Sequence, residues 1–272
     1  MNNDQQLSKF LRETEFCDVN HPEIQILGNY FKDKFPSVKD RAIAIFNFVR
    51  DEIKYRLGPW NKKASVTLFE KRGMCTSSTN LLVALMRASS IPAGYCIFRV
   101  RGGESFGHLV PRIIKRTIDH DSVHIVGYVY INNKWIKCDA STDKEFSESS
   151  SHISNITKLI TWDGEHDDVH LMPKEHIISI SDPIDNIDFQ LRKKPRKFTQ
   201  VFGFHVGNGF IDYLRLMGKD ISNSKMLEES FEKWYRKKYL KRYILLKLNA
   251  TRLVNNVRKI SWQARYVHKI KK

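Results

Sequence analysis

The sequence has few cysteines and no long apolar run. Its four cysteines, Cys17, Cys75, Cys96 and Cys138, are scattered without a Cys-x-x-Cys pair, which excludes a disulfide framework and a zinc ribbon. No stretch reaches the roughly 18 uncharged apolar residues that a membrane span needs. The polar start, Met1 to Gln6, lacks the apolar core of a signal segment. These absences predict a cytoplasmic protein without a membrane span, in which a free thiol can survive.

The charge is concentrated at one end of the chain. The protein has 272 residues, 41% of them hydrophobic, which is enough for one sizeable core. Residues 1–190 hold 24 Lys and Arg against 25 Asp and Glu, whereas residues 191–272 hold 22 against 5, a net charge of +17. We therefore predict a domain over 1–190 and a basic helical segment over 191–272. Such a segment attracts nucleic acid, anionic lipid or an acidic protein, or is a solvated extension without a partner.

Two amphipathic or apolar helices are predicted in the first third of the chain. Residues 37–54 place apolar side chains three and four positions apart, and Ser37 with Asp40 fits a helix start. Residues 75–89 are apolar enough to form a central buried helix, which Pro92 closes. Both helices belong to the half of the chain that has almost no net charge.

Strands are predicted next, and helices again after residue 225. The expected strands are 94–101, 108–117, 122–130 and 134–139, a Ser-rich loop follows over 141–153, and basic helices cover 226–270. Asn132 and Asn133 are a good tight-turn pair between the last two strands. The order predicts an α+β fold, with N-terminal helices packed on an antiparallel sheet and a basic helical C-terminal extension.

Cys75, His124 and Asp139 form the most informative constellation. Cys75 opens the buried helix, where unpaired backbone N–H groups stabilise a thiolate. A two-residue turn at Asn132 and Asn133 pairs positions whose numbers sum to 265, so His124 faces Ser141 and Asp139 points to the same side of the sheet. Diagonal neighbours on one face lie about 7–8 Å apart, which a His–Asp hydrogen bond can span. The pattern indicates a Cys-His-Asp nucleophilic triad.

Other residues offer alternatives for parts of this chemistry. His108 is a rival general base, although no paired strand carries a carboxylate for it. The backbone N–H of Cys75 can donate to an oxyanion, with Trp60 or Asn80 as the second donor.

A polar cluster further along is a candidate metal site. It consists of His166, Asp167, Asp168, His170 and His176, and these residue types suit a divalent metal. Their spacing matches no recognised signature, so we favour a polar loop near the cleft and expect neither a metal nor a cofactor.

Several segments together resemble the transglutaminase-like superfamily. They are Gly73-Met74-Cys75, the helix end Leu85 to Gly94 (LMRASSIPAG), the hairpin His124 to Ser141 with Trp135 and Asp139, and the approach segment Phe46 to Tyr55. That family shows a Gly-x-Cys helix start, an Arg-Ala-x-Gly-Ile-Pro-Ala helix end and a His…Trp…Asp hairpin. The resemblance covers roughly residues 36–143. Ser90 departs from the usual Gly, and Ser77 from an Asp that often follows the Cys.

The resemblance implies a papain-like catalytic domain over 1–190 and acyl chemistry through a thioester. Cys75 would attack an acyl donor, His124 would act as base and then acid, and Asp139 would orient His124. The acceptor would be an amine or water, and no cofactor is implied. Carrier-bound acyl thioesters are one expected substrate, since an acidic carrier protein would give the basic segment a task; nucleic acid is the less favoured partner. The alternatives are a cysteine protease and a non-catalytic binding module that uses the basic helices.

Overall fold

The chain folds into helices packed on an antiparallel sheet. A computed structural model describes residues 3–105, 110–115, 118, 120–154, 157–170, 173–193 and 198–239. The α+β class and the helix-on-sheet core are as the sequence predicts.

The bounds of the elements in the described residues are as follows. The helices are α1 (Asn3–Ser8), α2 (Pro22–Lys34), α3 (Val38–Glu52), α4 (Ala64–Glu70), α5 (Cys75–Ala88), α6 (Gly102–Ser105), α7 (Arg112–Lys115), α8 (Lys144–Ser150), α9 (Asp188–Leu191), α10 (Phe198–Met217) and α11 (Ser224–Lys238). The strands are β1 (Lys54–Tyr55), β2 (Arg72–Gly73), β3 (Ala93–Arg101), β4 (Asp121–Ile131), β5 (Lys134–Cys138) and β6 (Ile177–Ile180).

Helix α5 is the centre of the main core. All 14 of its residues are buried, the polar run from Thr76 to Asn80 as well as the apolar second half. Leu82 and Leu85 belong to a continuous apolar cluster with residues of α2, α3 and the sheet. On the N-terminal side of the core, Ser37 caps α3 by accepting a hydrogen bond from the backbone N–H of Asp40, as expected.

The sheet carries its strands in the order β5-β4-β3-β6, all antiparallel, while β1 and β2 form a separate parallel pair. In the β4–β5 hairpin Ile131 pairs with Lys134 and Gly127 with Cys138, which is the predicted register. Asn132 and Asn133 have φ values of +50° and +62°, which suit a type I′ turn. The register puts alternate side chains of β4 and β5 on the face that packs against α5.

Arg87 fixes the end of α5 through hydrogen bonds. Its guanidinium is buried and donates to three carbonyl oxygens: Ala93 at 2.9 Å, Arg12 at 2.6 Å and Asp185 at 2.6 Å. A buried charge needs such partners. The residue therefore joins the end of α5 to β3 and to two distant loops.

The C-terminal helices α10 and α11 form a second apolar cluster with α8. Phe210, Leu214 and Phe231 lie at its centre, and Phe146 contributes from α8. Arg215 of α10 pairs with the buried Asp143 just before α8, with 2.6 Å between Nη2 and Oδ2. These helices thus pack directly on the segment that follows the hairpin.

Most of the basic charge after residue 190 lies outside helices α10 and α11. Residues 198–239 hold seven Lys and Arg against five Asp and Glu, whereas 13 of the 22 basic residues after position 190 fall in 194–197 and 240–272. Those two stretches, including the predicted basic helix beyond 239, lie outside the described residues. Within the described part of the chain, no helix combines the length and apolar character needed to cross a bilayer.

Two expectations about secondary structure are wrong. The predicted strand over 108–117 contains helix α7 in its described part, and the predicted loop over 141–153 contains α8. Asp143 starts α8 by accepting a hydrogen bond from the N–H of Phe146, so the sequence did hold a helix-start signal. Helix α10 falls within the predicted helical segment 191–272, but its apolar residues and glycines did not mark its bounds.

Candidate active site

The local backbone presents Cys75 at the first position of α5. A Cβ atom added at Gly73 would lie 2.7 Å from Ser77 Oγ and 2.8 Å from Ser78 Oγ, so only glycine lets the chain approach this closely. Ser77 Oγ accepts a hydrogen bond from the backbone N–H of Met74 at 3.0 Å, which caps the first turn. The thiol therefore lies where the helix start favours a negative charge.

Helix α5 is fixed against β4 beside the histidine. The Thr79 hydroxyl, one turn after Cys75, donates to the carbonyl oxygen of Ile125 at 2.9 Å. Ile125 follows His124 directly. This contact brings the start of α5 and the histidine of β4 to the same place.

His124 and Asp139 are hydrogen-bonded on one face of the sheet. His124 Nε2 lies 2.5 Å from Asp139 Oδ2, and both residues are buried. The backbone N–H and the hydroxyl of Ser141 donate to Asp139 Oδ1 at 3.1 and 2.6 Å. Because Nε2 of His124 is engaged, Nδ1 is the ring nitrogen left to face Cys75.

The electrostatics of the three residues favour an ion pair. Burial acts to raise the pKa of Cys75, but the charge of His124 and a hydrogen bond to its ring outweigh burial and lower the pKa below its ordinary value. Burial acts to lower the pKa of His124, yet the charges of Asp139 and Cys75 raise it well above its ordinary value. A thiolate beside an imidazolium is the state that reacts with a carbonyl carbon.

The other three cysteines behave in the opposite way. Burial raises the pKa of each of the thiols of Cys17, Cys96 and Cys138. Cys75 is thus distinguished from three equally buried thiols by its neighbours and not by its burial.

His170 joins the site in a role that sequence reasoning missed. The segment before it runs beside β5: the N–H of Asp168 donates to Lys137 O at 3.1 Å, and the N–H of Asp139 donates to Asp168 O at 3.2 Å. His170 Nδ1 then lies 2.5 Å from Asp139 Oδ2, and its Nε2 contacts the Thr142 hydroxyl. His170 is buried and contacts the Asp139 carboxylate, so it belongs to the site.

The polar cluster of the sequence does not gather into one metal site. His166 pairs with Asp163 at the surface, Asp167 binds Lys137, and His170 turns inward to Asp139. The members of the candidate cluster therefore bind different partners.

His124, Asp139 and His170 do form a compact donor set. Their ligand atoms lie within 4.8 Å of one another, and two imidazoles with a carboxylate suit several metals. A tetrahedral ion with bonds of the usual 2.0–2.2 Å would hold nitrogen and oxygen about 3.3 Å apart. The observed 2.5 Å separations are those of hydrogen bonds.

Among the expected oxyanion donors, Asn80 is committed elsewhere. Its Nδ2 donates to Phe16 O at 2.8 Å and its Oδ1 accepts from the Tyr95 hydroxyl at 2.7 Å, which argues against that role. Trp60 contacts the ring of Phe204 with 6.3 Å between centroids, and its role stays a prediction. His108, the rival base, lies outside the described residues.

A charged pocket of about 330 Å³ adjoins the start of α5. Gly73 and Met74, the two residues before Cys75, form part of its wall. Its charged lining residues are Arg56, Lys62, Glu70 and Arg72, three cations against one carboxylate. Glu70 pairs with both Lys62 and Arg72, so the wall keeps an excess of positive charge.

Comparison with known families agrees with this geometry. Residues 27–140 match the transglutaminase-like superfamily. This segment is similar to a transglutaminase core. It runs from within α2 to the residue after Asp139 and contains Cys75, His124 and Asp139. The matched segment ends before His170 and before the C-terminal helices.

Two further comparisons concern individual proteins. No curated protein matches the chain in sequence. A solved structure of a candidate cysteine protease from Cytophaga hutchinsonii is similar at 24% identity, with a TM-score of 0.40, and the shared region covers 52% of this chain and 43% of that protein.

Proposed function

We propose that the protein is a cysteine acyltransferase or amide hydrolase that works through a thioester on Cys75. The observation that carries the proposal is the buried His124–Asp139 hydrogen bond beside a thiol whose pKa His124 lowers. A buried network whose hydrogen bonds are all satisfied is rigid, so it holds the imidazole in one orientation. The transglutaminase-like core supports a cysteine-dependent enzyme over a non-catalytic module.

The reaction follows from the positions of the groups. The Cys75 thiolate attacks the acyl carbonyl carbon, and the carbonyl electron pair moves to oxygen, where the backbone N–H of Cys75 can donate. The C–leaving group bond then breaks, and the proton on His124 passes to the leaving group. His124 next takes a proton from an amine or water, which attacks the thioester and returns the thiolate. Asp139 holds the ring in place throughout both halves.

An acidic macromolecule is the proposed bearer of the acyl group. The net charge of +17 after residue 190 supports this proposal, since charge of one sign speeds encounter with an acidic partner. If the partner is an acidic carrier protein, added nucleic acid should compete with it only weakly. Exchange of Arg236, Lys237, Lys238, Lys241 and Arg242 for Gln tests the proposal, with the last two lying outside the described residues. If this variant binds the acyl donor and the acceptor as tightly as the wild-type protein does at every salt concentration, the proposal is refuted.

Acyl-enzyme trapping tests the chemistry without knowledge of the natural donor. The protein is incubated with 4-nitrophenyl butyrate and analysed by intact mass and peptide mapping. We expect a butyryl group on Cys75 that hydroxylamine removes at neutral pH. Cys75→Ala should abolish the adduct, while the matched variant Cys96→Ala should keep it.

The acceptor is found by adding amines to the trapped acyl-enzyme. Faster loss of the adduct with formation of an amide would establish acyl transfer, whereas loss to the free acid alone would establish hydrolysis, including the protease alternative. An absence of any adduct on Cys75 would refute the proposed function.

A further inference from the structure

We propose that His170 is a positioning residue that shares the catalytic carboxylate with His124 and thereby limits how firmly Asp139 holds the imidazolium. The inference deepens the proposed function and rests on it for its turnover readout. His170 lies beyond the matched family segment, which ends at residue 140.

The hydrogen bonds of Asp139 carry the argument. A carboxylate has about four lone-pair sites, and in this structure each oxygen receives two contacts. Oδ1 accepts from the N–H and the hydroxyl of Ser141, whereas Oδ2 lies 2.5 Å from both His124 Nε2 and His170 Nδ1. The oxygen that orients His124 is therefore never available to His124 alone.

The ring geometry shows how two histidines converge on one oxygen. The rings of His124 and His170 are nearly perpendicular, at 87°, with 6.0 Å between centroids. The Thr142 hydroxyl contacts His170 Nε2. A hydroxyl that donates there leaves Nδ1–H of His170 to donate to Asp139, so Thr142 fixes the ring and its tautomer.

A shared oxygen has a chemical consequence. Two donors divide the negative charge of Oδ2, so each holds it less strongly than a sole donor would. His124 must release its proton to the leaving group, and a weaker hydrogen bond to Asp139 makes the imidazolium easier to deprotonate. Without His170, the imidazolium would be more stable, the Cys75 thiolate would persist to lower pH, and proton transfer to the leaving group would slow.

Other titratable groups face this network and must remain unchanged in the test. They are Cys75 on α5, Tyr55 on β1, Cys138 on β5 and Asp168 on the same segment as His170. Variants confined to His170 and Thr142 leave all four in place.

The test is the pH dependence of Cys75 alkylation by iodoacetamide, combined with turnover of 4-nitrophenyl butyrate. In His170→Leu we expect the acid midpoint of alkylation to move down by roughly one pH unit, which is a tenfold change in the ionisation equilibrium. Ester turnover should fall at least about fivefold. His170→Asn, whose Nδ2 can donate from nearly the same position as Nδ1, should restore the wild-type midpoint.

Two controls keep the result decisive. His152→Leu removes an exposed histidine that is bonded to Ile221 O at 2.8 Å and makes no contact with Asp139, and it should leave the midpoint unchanged. If His170→Leu fails to fold, Thr142→Val should produce a smaller shift in the same direction. A wild-type midpoint in His170→Leu, or in Thr142→Val if the former does not fold, would overturn the proposal, as would equal shifts in the Leu and Asn variants. If the midpoint shifts in His170→Leu but the wild-type protein itself shows no ester turnover, the proposed function is refuted and the role of His170 beside Asp139 stands.

Discussion

The Thr79 hydroxyl donates to the carbonyl oxygen of Ile125, and this 2.9 Å contact fixes α5 against β4 one turn from the nucleophile. The two halves of the site lie on these two elements: Cys75 begins α5, and His124 precedes Ile125 on β4. The distance from thiol to imidazole therefore depends on how α5 sits on the sheet.

Removal of the Thr79 hydroxyl should lower the alkylation rate of Cys75 at only a small cost in stability. We expect Thr79→Val to lower the free energy of unfolding by about 1 kcal/mol and the alkylation rate of Cys75 by about 3- to 10-fold, because the imidazole is displaced. Thr67→Val is the matched control, since the buried Thr67 hydroxyl bonds to Lys63 O within α4. It should cost similar stability and leave the alkylation rate unchanged; an equal loss of rate in both variants would contradict the account.

Ser90 is a site of backbone strain. It follows α5 with φ of +65°, the left-handed region that favours glycine. Its departure from the family's Gly therefore affects stability. We expect Ser90→Gly to raise the free energy of unfolding by about 1 kcal/mol, measured by denaturant titration. Ser90→Ala should bring no such gain, since alanine suffers the same steric conflict; equal stabilisation by both would show that strain is not the cause.

Arg215 joins the C-terminal helices to the core through a buried ion pair. Its side chain is 10% exposed and that of Asp143 only 3%. Arg215→Met leaves Asp143 without its charged partner, so we expect a loss of about 3 kcal/mol or more in the free energy of unfolding. Arg56→Gln removes the more exposed pair with Asp212 and should cost less than about 1 kcal/mol. Equal costs in the two variants would mean that the C-terminal helices do not depend on the buried pair.

The pocket beside Cys75 should favour reagents with a negative charge. We compare alkylation by N-iodoacetylglycine with that by its uncharged glycinamide analogue at low salt. Arg72→Gln should lower the ratio of the two rates by about 2- to 5-fold. The control is the neighbouring Lys71, which pairs with Glu52 and does not line the pocket. Lys71→Gln should leave the ratio unchanged. A ratio that is insensitive to Arg72 would show that the pocket does not receive the anionic group.

Local signals predicted much of the fold and of the candidate site. The apolar run of α5, the Asn132–Asn133 turn and its register each depend on residues close in sequence, so Asp139 could be expected on the same face as His124. Helix α10 lies within the predicted helical segment, but its glycines and apolar residues hide the periodicity that would have given its bounds.

His170 could not be found in this way. Its segment reaches the site by pairing alongside β5, thirty-one residues after Asp139, and no local pattern encodes that contact. In the sequence His170 stands out only as one member of a polar cluster. The pairing of Asp168 with β5, which brings His170 to the site, is a tertiary feature.

The most direct measurement is site-resolved alkylation of the native protein at about pH 6, read by peptide mass spectrometry. The rate follows the thiolate fraction, which at a given pH rises as the pKa falls. The pKa of Cys75 is lowered by His124, whereas burial raises those of Cys17, Cys96 and Cys138. We predict that iodoacetamide modifies Cys75 first and that His124→Ala removes this preference. Modification of another cysteine before Cys75, or equal rates at all four, would contradict the assignment of Cys75 as the nucleophile.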